Sequence, residues 1–443
     1  MNNITIPPIK STNYYAKIVA LPHTYPLEGL DNLVGAMIFG SQVLLSKDSK
    51  QGDIGLFFPL EVAISTEFCA ANNLYRKHEY GNSNHEGSLG FFETHRRVRA
   101  LKLRGHRSEG FWIPISSLNY LGINHAWEEN LEFDTIIIDN IEHSICCKYQ
   151  PKQNPTTLQR ESRKRQPKPE DLIIPGQFAF HYDTQNLRRN PEAIHADDYI
   201  SITDKWHGTS AVIGRLLVQS KQTLVGKCLA WLTGRSPSPS YSLVYSSRTV
   251  VKGVGDTEKQ SEHYYSTNIW KVVAQEVADK IPSGYTVYGE IVGYLGNGSW
   301  IQKGYDYGCV VGQHKFVVYR VTITNIEGRV QELSWPQVQE FCKKQGLDIV
   351  PTLAYGIAKD IFFISPTWDS LEFIKLLEAV WVDGGDCSYN TRKVPAEGIV
   401  VRIDRGDTCE AYKLKNFRFL EHETKMLDEN EVGVEDAENT SNV

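Results

Sequence analysis

The residues best suited to chemistry begin with Lys205-Trp206-His207-Gly208. The apolar-led stretch Ile202-Thr203-Asp204 runs into Lys205, and Gly208 follows where a backbone can turn tightly. A lysine amine is a nucleophile only when neutral, whereas an ordinary lysine titrates near ~10.4. Desolvation or neighbouring cations must therefore act on any lysine put to that use. A single Lys-x-x-Gly is common by chance, and alone it reads as a surface lysine. Further along, Glu290 and Glu397 offer carboxylates for a hydrated divalent cation or for sugar hydroxyls. Lys413 and Lys415 alternate on one strand-like run, so both ammonium groups can project from one face towards phosphate oxygens. Each also has a plainer reading, the glutamates as exposed strand residues and the lysines as a charge pair guarding a sheet edge.

The order of these stretches carries more than any one of them. After Lys205 come Ser247-Arg248-Thr249, then Val287-Tyr288-Gly289-Glu290-Ile291-Val292-Gly293, then Phe316-Val317-Val318-Tyr319. Ala396-Glu397-Gly398-Ile399-Val400-Val401 and Ala411-Tyr412-Lys413-Leu414-Lys415 complete the set. The ordered series resembles the covalent nucleotidyltransferase superfamily of RNA ligases, DNA ligases and mRNA capping enzymes, in which these stretches look like motifs I, Ia, III, IIIa, IV and V. The resemblance implies that Lys205 attacks the α-phosphate of ATP and carries AMP covalently. Such a highly charged centre needs cations around it, because catalysis of phosphoryl transfer is mostly positioning and charge neutralisation. It further implies that Thr203, Arg248, Glu290, Phe316, Lys413 and Lys415 bind the nucleotide, with Tyr319 competing with Phe316 for stacking on adenine. Mg²⁺ or Mn²⁺ is assigned chiefly to Glu397, while Glu290 serves either metal or ribose. Many family members carry Asp where this chain has His207; some RNA ligases have His there, which tilts the reading towards RNA ligases.

These residues need elements to hold them, and three regions separate by composition. Short alternating runs punctuated by Gly and Asp make residues 1–147 a small β-rich domain. Within it, Arg97-Val98-Arg99-Ala100-Leu101-Lys102-Leu103-Arg104 changes phase, and a β-bulge near Ala100–Leu101 would restore one basic face bearing Arg97, Arg99, Lys102 and Arg104 for nucleic acid. Residues 148–170 read as a basic linker, with seven Lys/Arg against one Glu from Lys148 to Lys168. Residues 171–420 mix strands with helical patterns at about 268–280 and 370–380, without regular βαβ alternation, which predicts an α+β domain on antiparallel sheets. Residues 421–443 hold eight Asp/Glu and one Lys and read as an acidic disordered tail.

Capping enzymes and many DNA ligases resemble one another in placing an OB barrel after motif V. Only 443 − 415 = 28 residues follow Lys415, so the β-rich domain must precede the lysine. An N-terminal OB-like barrel followed by a nucleotidyltransferase domain is similar to the Naegleria-type RNA ligases. Phe180-His181-Tyr182-Asp183-Thr184 and the stretch Tyr294 to Gly308, containing Ile301-Gln302-Lys303-Gly304, also resemble segments of that group. The implied function is ATP-dependent sealing of 3′-hydroxyl and 5′-phosphate RNA ends, favouring nicks in duplexes, with RNA as the partner and no obligate protein partner. The alternatives are a DNA ligase or guanylyltransferase of the same superfamily, or a nucleic-acid-binding protein that has lost the chemistry.

Composition is compatible with this reading. The net charge of −6 becomes +1 without the tail (−6 + 7), and basic stretches on a near-neutral body suit phosphate-backbone contact. No apolar run reaches the roughly 18 residues of a membrane span, and the first residues lack a secretory signal, so an intracellular, non-secreted protein is expected. Eight cysteines without a Cys-x-x-Cys pair predict reduced thiols and no zinc. Val225-Gly226-Lys227-Cys228 lacks both the glycine and the Ser/Thr of a P-loop.

Overall fold

Asp139 and Asn140 both take positive φ (48° and 67°), and the two-residue turn they make joins Thr135–Ile138 to Ile141–Ser144 in a hairpin. Small antiparallel pairings of this kind make up the first of two units into which the chain divides. The computed structural model describes residues 3–77, 84–85, 89–123, 125–150, 168–219, 238–258, 268–363, 367–406 and 408–428. The first unit takes residues 1–150, 185–191 and 417–429; the second takes the remainder. The 220–237 stretch, most of the linker and the tail beyond Asp428 lie outside the described residues. None of the helices described is long and apolar enough to cross a membrane.

In the first unit, Phe111–Pro114, Ile54–Phe58, Ala16–Ala20 and Glu132–Phe133 pair in that order, and Thr24–Pro26, Leu33–Ile38 and Ser41–Ser46 form a second sheet. Ala16, Ile18, Leu56, Phe58 and Phe133 send their side chains into one core. The β-rich expectation is met, but the pairings form several small sheets rather than a closed barrel among the described residues.

The basic run departs from expectation. Val98 and Ala100 are buried, and a hairpin then starts at Leu101 and turns at Arg104-Gly105, both with positive φ. Leu101, Lys102 and Leu103 are all exposed, so the hairpin projects instead of restoring one basic and one apolar face. Arg97 is 1% exposed; its guanidinium donates to Asp428 Oδ1 at 2.6 Å and to the Thr424 carbonyl at 3.1 Å. Arg99 reaches the other Asp428 oxygen at 3.0 Å. Both partners lie on the helix Phe417–Asp428, whose Phe417 and Leu420 pack with Ala100 and Leu60. Arg97 is therefore an internal tie and not part of a nucleic-acid face. Residues 421–428, assigned from sequence to the tail, are helix.

The second unit is α+β, as expected. Its larger sheet runs Val251–Val254, Ser240–Ser246, Thr209–Val218, Tyr285–Gly293, His314–Thr324, Val330–Glu332 in antiparallel succession, and Asp348–Ile349 adds a parallel pairing to His314–Thr324. The smaller one orders Thr408–Lys415, Gly398–Arg405, Tyr199–Lys205 and Thr352–Ile357. Helix Ile269–Val277 starts where Asn268 Oδ1 accepts the Lys271 N–H at 3.1 Å, and it buries Ile269, Trp270, Val273 and Ala274 against the large sheet. A 3₁₀ turn carries it to Lys280. Helix Ser370–Leu377, capped by Asp369, continues as a wider turn to Val382. Both expected helices are thus present.

Candidate active site

The Lys-x-x-Gly tetrad is the crossover between the two sheets. Lys205 ends a central strand of the small sheet, and Thr209 opens a central strand of the large one. Gly208 must be glycine for want of space: a Cβ there would stand 2.3 Å from the Ile291 carbonyl oxygen and 2.8 Å from Glu290 Cγ. Gly398, across from Lys205, needs glycine twice over, with φ of +136° and the Leu414 carbonyl 2.0 Å from any added Cβ.

Glu397 lies at the centre. Its Oε1 is 2.8 Å from Lys205 Nζ and 3.3 Å from Lys415 Nζ, and its Oε2 is 3.9 Å from His207 Nδ1. The side chain is only 3% exposed. Burial pushes this carboxyl up, but Lys205, Lys415 and His207 outweigh it and hold the group below the ordinary carboxylate range. Lys413 pairs with Val400 one step from Lys415, and Thr203 pairs with Val400 from the other side, so Thr203, Lys205, Lys413 and Lys415 share one face. Burial first, then Lys415, Arg248 and Lys205, pushes the Lys413 amine down to about 7 against the opposing pull of Asp183.

Two side chains of the 301–308 loop and one glutamate hold the turn. Glu290 Oε1 accepts the Gly208 N–H at 3.2 Å, Gln302 Nε2 donates to the Gly208 carbonyl at 2.8 Å, and the Tyr307 hydroxyl accepts the His207 N–H at 2.6 Å. Arg248 forms an ion pair with Asp183. Glu397 Oε2 is buried with no hydrogen-bond partner. That bare oxygen fits a hydrated divalent ion, which takes one or two protein carboxylates and completes its shell with water and phosphate. No His/Cys/Asp/Glu cage exists among the described residues.

Residues 198–416 match the family model described as RNA ligase. Through that segment the chain belongs to the RNA ligase family. No curated protein sequence matches the chain. Solved structures of the Naegleria gruberi RNA ligase share the ligase fold. A lysine-to-methionine mutant with AMP and Mn aligns over 92% of this chain and 98% of that one, with a TM-score of 0.54 at 15% identity. A lysine-to-alanine mutant with ATP and Mn covers 94% and 99% with a TM-score of 0.55, also at 15% identity. The structure with PPi covers 93% and 98% with a TM-score of 0.55, again at 15% identity.

The ligase domain brings Lys205, His207, Glu290, Glu397 and Lys415 together, with Lys413 and Thr203 on the same face of the lysine sheet. Phe316 is placed elsewhere. It pairs with Ile291, one step out of phase with Glu290, and its ring covers Gly289 inside the core. The Tyr319 hydroxyl instead stands 3.3 Å from Ser210 Oγ, and Ser210 is paired with Glu290. Tyr319, the competing candidate, is therefore the aromatic on Glu290's side. Gln302, Tyr307 and Asp183 do not stand out in the sequence as site residues. Their segments were visible as family-like stretches, but a glutamine and a tyrosine that act through backbone bonds leave no pattern of their own. Arg99, Lys102 and Arg104 belong to the first unit, where Arg104 donates to the Gly29 carbonyl at 2.6 Å.

Proposed function

We propose that this RNA ligase seals 3′-hydroxyl and 5′-phosphate ends by way of AMP bonded to Lys205, favouring nicks in RNA-containing duplexes. The observation that carries the reading is one buried carboxylate, Glu397, touching both Lys205 and Lys415 beside a glycine-enforced turn. In the first step Lys205 Nζ gives its electron pair to the α-phosphorus of ATP, the bond to pyrophosphate breaks, and the amine loses a proton. In the second, a 5′-phosphate oxygen attacks that phosphorus, the P–N bond breaks and Lys205 regains a proton. In the third, the 3′-hydroxyl oxygen attacks the 5′-phosphorus, its proton is released to solvent and AMP leaves.

Attack needs the neutral amine, so Lys205 must give up a proton and keep its lone pair directed at the α-phosphorus as the P–N bond forms. Mg²⁺ or Mn²⁺, held by Glu397 with Glu290 as the second candidate, would supply charge neutralisation at the phosphates. Lys413 and Lys415 bind phosphate oxygens from the lysine's own sheet face. Arg248 takes ribose or phosphate once released from Asp183, and Tyr319 stacks on the base. Glu290 also has a positioning role through the Gly208 N–H, which fixes the turn that aims Lys205. The relatives with ATP, AMP and Mn support ATP as the AMP donor and a divalent ion as cofactor.

The test is labelling with α-³²P ATP and divalent metal, wild type beside Lys205→Ala, on a denaturing gel. Label on the wild type that vanishes in the variant is the expected result. An unlabelled wild type, after bound AMP has been stripped with pyrophosphate, would sink the covalent mechanism.

A further inference from the structure

Beside the nucleophile stands a tier of aromatic rings that the adenylation chemistry does not use. Trp206, the residue after Lys205, stacks on Tyr307 with centroids 4.4 Å apart and planes at 20°. Tyr389 leans on Trp206 from another side at 5.3 Å and 46°. Tyr307 is buried, whereas Tyr389 is 41% exposed. An exposed tyrosine would ordinarily be mobile, but this one rests on the Trp206 ring and lies near the half-buried Asp204, the residue before the nucleophile.

The segments bearing these rings are braced against each other. Asn390 Oδ1 accepts the Asp306 N–H at 2.6 Å and the Tyr307 N–H at 3.1 Å, and its amide donates to the Gly304 carbonyl at 3.0 Å. Asp306 in turn takes the Thr391 hydroxyl and the Thr391 N–H, the latter at 3.0 Å. An aromatic face is thereby held rigid next to a reacting centre while remaining open to solvent. Cations flank it. Arg392 and Lys393 are exposed on the same loop, with the Arg392 guanidinium 5.0 Å from the Trp300 ring centroid. The loop's acids, Asp383 and Asp386, already engage other groups.

Rigid rings that stack with any base, bordered by cations that follow a phosphate backbone, are the chemistry by which proteins grip single strands. We infer that Tyr389 on Trp206 is a stacking platform for a base of the RNA strand whose end reacts at Lys205, with Arg392 and Lys393 on that strand's phosphates. This rests on the ligase reading above, and it assigns Tyr389 a positioning role in the steps that involve RNA. Its hydroxyl is dispensable by this account and its ring is not.

The experiment uses full-length, pre-adenylated protein and a nicked RNA duplex carrying 5-iodouridine at single positions on either side of the nick. Irradiation followed by peptide mapping is expected to find the crosslink in the peptide containing Tyr389 or Trp206, from positions within a few nucleotides of the nick. In sealing kinetics Tyr389→Ala should raise KM for the duplex roughly 5- to 150-fold, the range for losing one base stack, while Tyr389→Phe stays within about twofold of wild type. Crosslinks confined to other peptides, an unchanged KM in Tyr389→Ala, or a Phe variant as impaired as Ala would each overturn the platform. Failure of the ligase reading would show separately, as a wild type that takes no AMP before RNA is added.

Discussion

Lys413 is the residue whose environment makes the sharpest solution prediction. Its amine is pushed down to about 7, well below the ~10.4 of a lysine in an unfolded chain. Between those values the unfolded state binds more protons than the folded one, so Lys413 makes stability rise with pH across that window and adds no slope below it. Polyphosphate beside the amine favours its charged form, so ATP binding at pH 8 should draw a proton from solution, up to about 0.9 per site if the group starts near 7. Calorimetry in two buffers of different ionisation enthalpy measures that uptake, which should be absent in Lys413→Met. The residues of the site were legible in unequal measure. Lys205, Glu397, Lys413 and Lys415 stood out because spacing and order mark them. Phe316 and Tyr319 could not be separated from sequence, since three residues apart on a strand they face opposite ways and only the partner strand says which way is which. The pairing here shifts register opposite Tyr288 and Gly289, and the extra residue is Tyr319 itself, which no periodicity predicts.

At the level of elements, the crossover between the sheets is the feature on which catalysis depends. A Cβ at position 208 would meet the Ile291 carbonyl, a Val292 methyl at 2.7 Å and the Glu290 side chain, so the turn must move away from the strand that grips it. Gly208→Ala should lower the rate of lysyl-AMP formation about 100-fold, as expected when a reacting group is misplaced by about an ångström. Circular dichroism should still report a folded protein, and a variant that labelled at the wild-type rate would show that the turn tolerates displacement. Helices at 268–280 and 370–380 were readable because their apolar spacing is regular and each has a capping residue in front. The projecting hairpin at 101–108 was not. Its exposed leucines imitate a buried strand, and the positive φ at Arg104 is carried by a residue that does not advertise it.

Across the whole molecule, the surprise is how far apart in sequence the pieces of the first unit lie. Arg97 and Asp428 are 331 residues apart and 2.6 Å from one another. Removing Asp428 leaves the buried Arg97 with only Glu61, 3.5 Å away, as counter-ion, so Asp428→Ala should destabilise the first unit by about 1–3 kcal/mol, read from its denaturation midpoint. Arg97→Met, which removes the buried charge itself and leaves Asp428 partly exposed, should cost less. Sequence could not show this pair, because an acidic run is the usual signature of disorder and it hid the helix end bearing Thr424, Leu427 and Asp428, while Phe417 and Leu420 read as the close of the domain before it. The same arrangement sets a timetable for synthesis. Roughly 270 residues separate Gln150 from Phe417, and at about 5–20 residues per second a ribosome needs on the order of tens of seconds to make them. Throughout that interval the nascent first unit lacks the helix that packs on Ala100 and Leu60 and bonds Arg97, so its closure waits for Phe417–Asp428.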